Sequence, residues 1–171
     1  RLDRINILRK KLLNQKVSVG TWQQIQSFEV SKILSLAKYE WVTIDLEHGS
    51  FDESFLSPAF DIILSQGSLP LARIARPDKF ESRSVLDKGA AGVIIPMVET
   101  PEQLDDIINS SLWPDNGNRG VGYCNANDFG KNFKDYKEEA QRPIFVAMVE
   151  NTQIIENLEK ICSNKYLDAL F

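Results

Sequence analysis

The sequence predicts an α/β fold built on a parallel sheet and, within that class, a (β/α)8 barrel rather than an open doubly wound sheet. Short apolar segments alternate with longer segments of helical period along most of the chain. The apolar segments have the character of strands buried on both faces, which is how parallel sheets are built. Polar residues recur where those segments end: Glu47 and His48, Arg73, and Glu150. Right-handed crossovers satisfy either architecture. A barrel gathers the carboxyl ends of its strands around one mouth, where barrel enzymes keep their chemistry, and is favoured on that ground.

Element by element, Val17–Trp22 is the first expected strand. Phe28–Lys38 follows as a helix with Val30, Ile33, Leu34 and Ala37 on one face. Glu40–Glu47 is the second strand, and Glu53–Ser65 a helix carrying Phe55, Leu56, Ala59, Phe60, Ile63 and Leu64. Pro58 sits in its early part, where a proline delays the start or kinks the helix. Leu71–Ile74 is a third strand, Lys79–Lys88 a helix, and Ala91–Met97 an almost wholly apolar fourth strand. Thr100, Pro101 and Glu102 open the next helix in N-terminal style, with Leu104, Ile107 and Ile108 facing inward. Ile144–Glu150 is a further strand, Gln153–Cys162 a helix, and Leu167–Phe171 the beginning of one more strand.

A chain of 171 residues with 43% hydrophobic content can bury a core and corresponds to about one domain. No apolar run approaches the ~20 residues of a membrane span, and the opening Arg-Leu-Asp-Arg-Ile-Asn lacks the apolar stretch of a signal peptide, so a cytoplasmic location without membrane attachment is expected. Twenty basic and twenty-four acidic side chains, with no basic run, argue against nucleic-acid binding. Cys124 and Cys162 are isolated and lack nearby histidines, so they read as ordinary reduced thiols.

The chemistry centres on Val42–Gly49, Val-Thr-Ile-Asp-Leu-Glu-His-Gly, which holds the only histidine. Imidazole is the one side chain whose unperturbed titration falls near neutrality, so histidine acid–base chemistry here means His48. Asp45 and Glu47 alternate with Ile44 and Leu46, the pattern of a strand whose polar face opens toward a site. A hydrogen-bonded structural histidine at a strand end is the alternative. Trp113–Arg142 breaks the β/α pattern; it is rich in glycine and polar residues and offers at best a short strand and a short helix. A loop of this length is functional or mobile. Its Gly117-Asn-Arg-Gly-Val-Gly122 is neither a dinucleotide fingerprint nor a P-loop, so it does not indicate phosphate binding.

Gly20-Thr-Trp22, Ile44-Asp-Leu-Glu-His-Gly49, Ala72-Arg73 with Pro77-Asp78, Leu86-Asp-Lys-Gly-Ala90, Ile95-Pro-Met-Val98 with Thr100, Gly117-Asn-Arg-Gly120 and Val149-Glu150 form an ordered set. By these motifs, over nearly its whole length, the chain resembles the HpcH/HpaI aldolases, metal-dependent class II pyruvate aldolases such as 4-hydroxy-2-oxoheptanedioate aldolase and 2-dehydro-3-deoxyglucarate aldolase. The resemblance implies a TIM barrel of the phosphoenolpyruvate/pyruvate type. It also implies cleavage, or formation, of 4-hydroxy-2-oxo acids as pyruvate plus an aldehyde. The implied cofactor is a divalent Mg²⁺, Mn²⁺ or Co²⁺ ion that stabilises a metal-bound pyruvate enolate as a Lewis acid. The implied assembly is a homo-oligomer such as a hexamer.

Carried residue by residue, the resemblance makes Glu150 a metal ligand and Arg73 the contact to the pyruvyl oxygens. His48 is the base for the C4 hydroxyl, through water, and Asp87 the carboxylate that partners it. Trp22 lines the pocket mouth, while Asp45 and Glu47 stand behind the residues that touch substrate. Each also has a structural reading: Arg73 in a barrel ion pair, Asp87 at a helix end beside Gly89, and Glu150 capping the helix near Thr152. Met97 and Met148 read as core or pocket filler.

Two departures qualify the match. Met148 stands two residues before Glu150, where the family often has glutamine, which removes a polar contact near the substrate. The family's second metal carboxylate belongs to a Gly-Pro-x-Asp-Leu segment expected beyond Phe171; Asp168 comes too early to be it. A complete barrel needs about 250 residues, so one barrel domain over 1–171, incomplete at its carboxyl end and with an exposed sheet edge, is expected. The competing readings are a non-catalytic barrel fragment serving assembly or binding, and oxaloacetate decarboxylation at the same site.

Overall fold

The computed structural model describes residues 1–171. Its strands are β1 (Gly20–Gln23), β2 (Trp41–Asp45), β3 (Leu69–Arg73), β4 (Gly92–Ile95), β5 (Ile144–Ala147) and β6 (Ala169–Leu170). Its helices are α1 (Leu2–Leu13), α2 (Phe28–Leu36), α3 (Glu53–Ser65), α4 (Lys79–Asp87), α5 (Pro101–Ser111), α6 (Phe133–Ala140), α7 (Thr152–Glu156) and α8 (Leu158–Cys162), with a 3-10 turn at Asn125–Gly130. The six strands are parallel and pair in chain order, so the expected alternation of strand and crossover is present.

Register sorts the side chains into two faces, because a strand points successive residues to opposite sides. Trp22, Thr43, Leu71, Gly92 and Ile144 stand side by side across β1 to β5. On the other face Val42, Ile44, Ala72, Val93, Ile95, Phe145 and Ala147 join Phe55, Phe60, Val85, Leu104 and Ile108 of the helices in the main core. Burial of each larger member contributes roughly 1.5–3 kcal/mol. The sheet curls toward its first face until the edges approach: the rings of Trp22 in β1 and Phe171 after β6 lie 5.3 Å apart, although these strands do not pair. The result is a half-barrel covered by helices on its convex side.

Helix α1 was not expected from the sequence. Ile5 and Leu8 are buried on Leu69, Leu71, Ala91 and Ile144, so α1 lies across the amino ends of the strands. Its Arg9 grips Asp168, donating from Nε at 2.6 Å and Nη2 at 3.1 Å. Several expected boundaries contract. The first strand starts at Gly20 because Val17 and Val19 are exposed. The fourth and fifth end at Ile95 and Ala147, where the chain turns into the mouth. Pro58 is accommodated inside α3 without delaying its start. The expected helix over 153–162 is two short ones divided at Asn157. The long 113–142 segment holds the 3-10 turn and α6 but no strand. No helix is long and apolar enough to cross a membrane.

Candidate functional site

Asp45 and Arg73 are register partners at the carboxyl ends of β2 and β3. Side by side on adjacent strands, they form a forked pair: Arg73 Nε and Nη2 donate to the two Asp45 oxygens at 2.8 and 2.5 Å. Asp45 is fully buried and receives three further hydrogen bonds, from Gln24 Nε2 at 2.7 Å and from the N–H groups of Glu47 and His48, both at 3.1 Å. Burial acts to raise its pKa, but the Arg73 fork, the Gln24 amide and the His48 N–H outweigh burial and hold the carboxyl below its ordinary range.

Those two backbone bonds explain a departure from the expected strand. The Asp45 side chain captures the chain two and three residues on, as aspartates do in tight turns, so β2 stops at Asp45 and Leu46–His48 form a turn. Glu47 and His48 therefore lie on the rim instead of continuing a strand. Glu47 comes within 3.3 Å of Arg73 Nη1, and its other oxygen lies 3.9 Å from His48 Nε2. His48 is the most open member of the group, its side chain 63% exposed.

Trp22 joins from β1. The Arg73 guanidinium lies over its ring, 5.0 Å from the centroid, a cation–π contact that with Asp45 fixes the fork from two directions. Glu150, beyond β5, accepts the Met97 N–H at 2.5 Å. Met97 is left-handed (φ 52°), a conformation uncommon outside glycine, so the loop after β4 is shaped at the point where it holds Glu150.

The structure thus brings Trp22, Asp45, Glu47, His48 and Arg73 into one group, with Glu150 on the same rim after β5. It does not bring Asp87 to His48. Helix α4 runs back against the strand direction, so its last residue, Asp87, lies toward the amino ends, and the charged group it meets is Arg119, with Nε 3.8 Å from Oδ1. Within this chain the expected His48–Asp87 partnership is not formed. Asp168 is likewise committed elsewhere, to Arg9 and Arg142. Sequence reasoning missed Gln24, Phe171 and the Met97 amide. Gln24 carries no motif, while the other two act only through tertiary contact.

No three His, Cys, Asp or Glu side chains converge in a way that could hold a metal ion. Glu150 is one hard oxygen donor facing the mouth, and Asp45 is spent on Arg73 and its turn. The residues present therefore do not make a metal site by themselves.

A sequence model described as HpcH/HpaI aldolase/citrate lyase matches residues 18–171. The hydroxypyruvate/pyruvate aldolase of Roseobacter denitrificans is 29% identical over 170 residues, which are 98% of this chain and 66% of that protein. A 5-keto-4-deoxy-D-glucarate aldolase of Salmonella paratyphi A is 29% identical over 168 residues, 97% of this chain and 65% of its own length. Among solved structures, an HpcH/HpaI aldolase/citrate lyase family protein from Burkholderia cenocepacia superposes with a TM-score of 0.85 at 26% identity, covering 97% of this chain and 68% of that one. The chain spans about two thirds of the length of the curated relatives it matches.

Proposed function

The chain belongs to the HpcH/HpaI aldolase/citrate lyase family, and on that premise we propose that it carries most of the active-site half of a (β/α)8-barrel lyase that splits 4-hydroxy-2-oxo acids into pyruvate and an aldehyde. The observation that carries the reading is the Asp45–Arg73 fork at the mouth, with Trp22 over it and His48 beside it. Relatives named as aldolases acting on pyruvate and on a keto-deoxy sugar acid support the substrate class.

In the retro-aldol step a base takes the proton from the C4 hydroxyl, the C3–C4 bond breaks, and its electron pair passes into the enolate of pyruvate while the aldehyde departs. Arg73 is arranged for that charge. Guanidinium has five N–H donors, and only two make the fork to Asp45; Nη1, which makes no hydrogen bond and has Glu47 3.3 Å away, is the donor offered to the 2-oxo acid and its enolate oxygen. Asp45, Gln24 and Trp22 hold the guanidinium still, which keeps its donors aimed without reorganisation during reaction. His48, open on the turn that Asp45 folds, is the group placed to take the hydroxyl proton directly or through water. Glu47 stands between the two.

Glu150 is the chain's candidate oxygen ligand for a divalent Mg²⁺, Mn²⁺ or Co²⁺ ion, consistent with a hard donor. Since no complete donor set exists here, no step is assigned to an ion. A homo-oligomer is carried in the same proposal, to be read by sedimentation.

The test is pyruvate release from a 4-hydroxy-2-oxo acid by the complete protein, with and without added Mg²⁺, Mn²⁺ or Co²⁺, beside His48→Ala, Arg73→Ala and Glu150→Ala. Release that collapses in the first two variants and depends on metal through Glu150 establishes the reading. Folded, metal-supplied protein that releases no pyruvate removes it.

A further inference from the structure

Two groups at the mouth are assigned to substrate, Arg73 Nη1 and His48, and one carboxylate lies between them. Glu47 Oε2 is 3.3 Å from Arg73 Nη1, and its other oxygen, Oε1, is 3.9 Å from His48 Nε2. Oε2 is closed off from solvent and has no hydrogen-bond partner. Buried carboxylate oxygens ordinarily accept hydrogen bonds, so this one is held by the charge of the arginine alone.

That position collides with the proposed chemistry. A 2-oxo acid is an anion, and it needs the donor that Oε2 faces. Two carboxylates crowded onto one N–H group repel each other as like charges do at close range. Glu47 therefore leaves Arg73 when the anion arrives. The backbone stays, because the buried Asp45 carboxylate accepts the N–H groups of Glu47 and His48, both at 3.1 Å, and is itself gripped by the Arg73 fork. Movement is confined to the Glu47 side chain. The charged and titratable groups that face it are Arg73 from β3 and, on its own turn, Asp45 and His48. Of these only His48 can accept a displaced carboxylate: its side chain is open to the rim, and an approach of about 1 Å brings Nε2 within hydrogen-bond distance.

We propose that Glu47 is a positioning residue that exchanges partners, lying on Arg73 in the empty site and driven by the 2-oxo acid onto His48, a role that rests on the aldolase reading of those two residues. The imidazole then gains its carboxylate partner when substrate is bound. A carboxylate beside it orients the ring and stabilises the imidazolium formed as His48 takes the C4 hydroxyl proton. Binding of one end of the substrate thereby prepares the base for the other end.

The test compares the complete protein with Glu47→Gln and Glu47→Ala, each checked for folding by circular dichroism, at one fixed Mg²⁺ concentration. Calorimetry reads pyruvate binding, NMR reads the His48 imidazole signal, identified by its absence in His48→Ala, and pyruvate release from a 4-hydroxy-2-oxo acid gives kcat and KM. Both variants should bind pyruvate about fivefold tighter, the scale of an ion pair that no longer has to be broken. Their kcat should fall about tenfold, part of the 10²–10⁴ that a positioned base contributes, while KM falls too. A merely structural role would raise KM. Pyruvate should move the His48 signal in wild type, and most of that shift should vanish in both variants. Binding that is unchanged or weaker in both variants, or tighter binding with an unmoved His48 signal in wild type, overturns the exchange and leaves the aldolase reading standing. Pyruvate that binds but is released from no 4-hydroxy-2-oxo acid overturns the aldol step, with the exchange decided by calorimetry and NMR. Folded wild type and variants that all fail to bind pyruvate overturn both.

Discussion

Two buried aspartates, Asp45 and Asp168, are built alike and sit at opposite ends of the same sheet. Each accepts an arginine fork: Asp45 from Arg73, and Asp168 from Arg9 Nε and Nη2 at 2.6 and 3.1 Å. Each also takes backbone N–H, from Glu47 and His48 in one case and from Phe145 in the other. The difference lies in what else each arginine meets. Arg9 Nη2 also donates to the carbonyls of Arg142 and Pro143, and Arg142 crowds the same carboxylate, so this pair locks α1 to β5 and β6. Arg73 makes no carbonyl contacts of that kind; its Nη1 has the Glu47 carboxylate 3.3 Å away, and its guanidinium lies over Trp22 at the rim. The pair at the carboxyl ends is surrounded by rim groups and is the one the proposal assigns to chemistry; the pair at the amino ends ties a helix to two strands and is scaffold.

The sharpest way to break the comparison is to change the two arginine systems separately. Arg73→Lys keeps a charge but loses the planar fork; pyruvate release per folded molecule should fall by about 10²–10³, the cost of removing an aimed oxyanion donor. Asp168→Ala should do the reverse. It strands Arg9 and Arg142 and should lower stability by about 3–5 kcal/mol in urea unfolding, with turnover per folded molecule unchanged. Equal losses of turnover in both variants would dissolve the distinction between the two ends.

A smaller effect tests the amino end without charge. A Cβ on Gly20 would lie 1.9 Å from the Trp41 indole, so glycine there lets the ring cover the strand. Gly20→Ala should cost about 1–3 kcal/mol through overpacking, read as a lower urea midpoint. Turnover of the folded fraction should fall less than in Arg73→Lys, since the clash is with Trp41 and Gly20, although two residues from Trp22 on the same face of β1, touches none of the rim groups.

Much of this comparison was legible in the chain, and the limits are physical. The apolar runs around 42–45, 71–74 and 92–95 announced a parallel sheet because strands buried on both faces have no polar alternative. Arg73 and Asp45 were visible as charges interrupting such runs; that the carboxylate paired with Arg73 is Asp45 was not. What defeated the sequence was contact at long range. The spacing of Ile5, Leu8 and Leu12 was available, but nothing local says that α1 covers strand ends contributed by residues 69 to 144. The turn at His48 depends on which way the Asp45 carboxylate faces. Arg119 lay in plain view between Asn118 and Gly120, yet its burial comes from Trp113 and Tyr136 on other elements. Asp87 was matched by motif, and within this chain its place at the end of α4 sets it beside Arg119 and not His48.

The finest test sets Asp45 against Asp87 by pH. Asp45 is depressed in the folded state, so the stability it contributes is present above the ordinary carboxylate value of about 3.9 and is lost as pH falls through its lower folded value. Asp87 is shifted the other way: burial raises it despite the opposing pull of Arg119, the Cys124 thiol, Arg83 and Lys88. Between about 3.9 and that raised value the native state holds more protons than the unfolded chain, so this group lowers stability as pH rises and its penalty is complete above the window. Unfolding free energies measured from pH 3 to 7 should therefore show opposite trends. The deficit of Asp45→Asn should grow with pH from near 3 upward and then level off, whereas Asp87→Asn should gain on wild type over the range just above 4. Parallel curves for the two variants would mean that Asp45 at the mouth and Asp87 at the end of α4 do not differ electrostatically, against their opposite shifts.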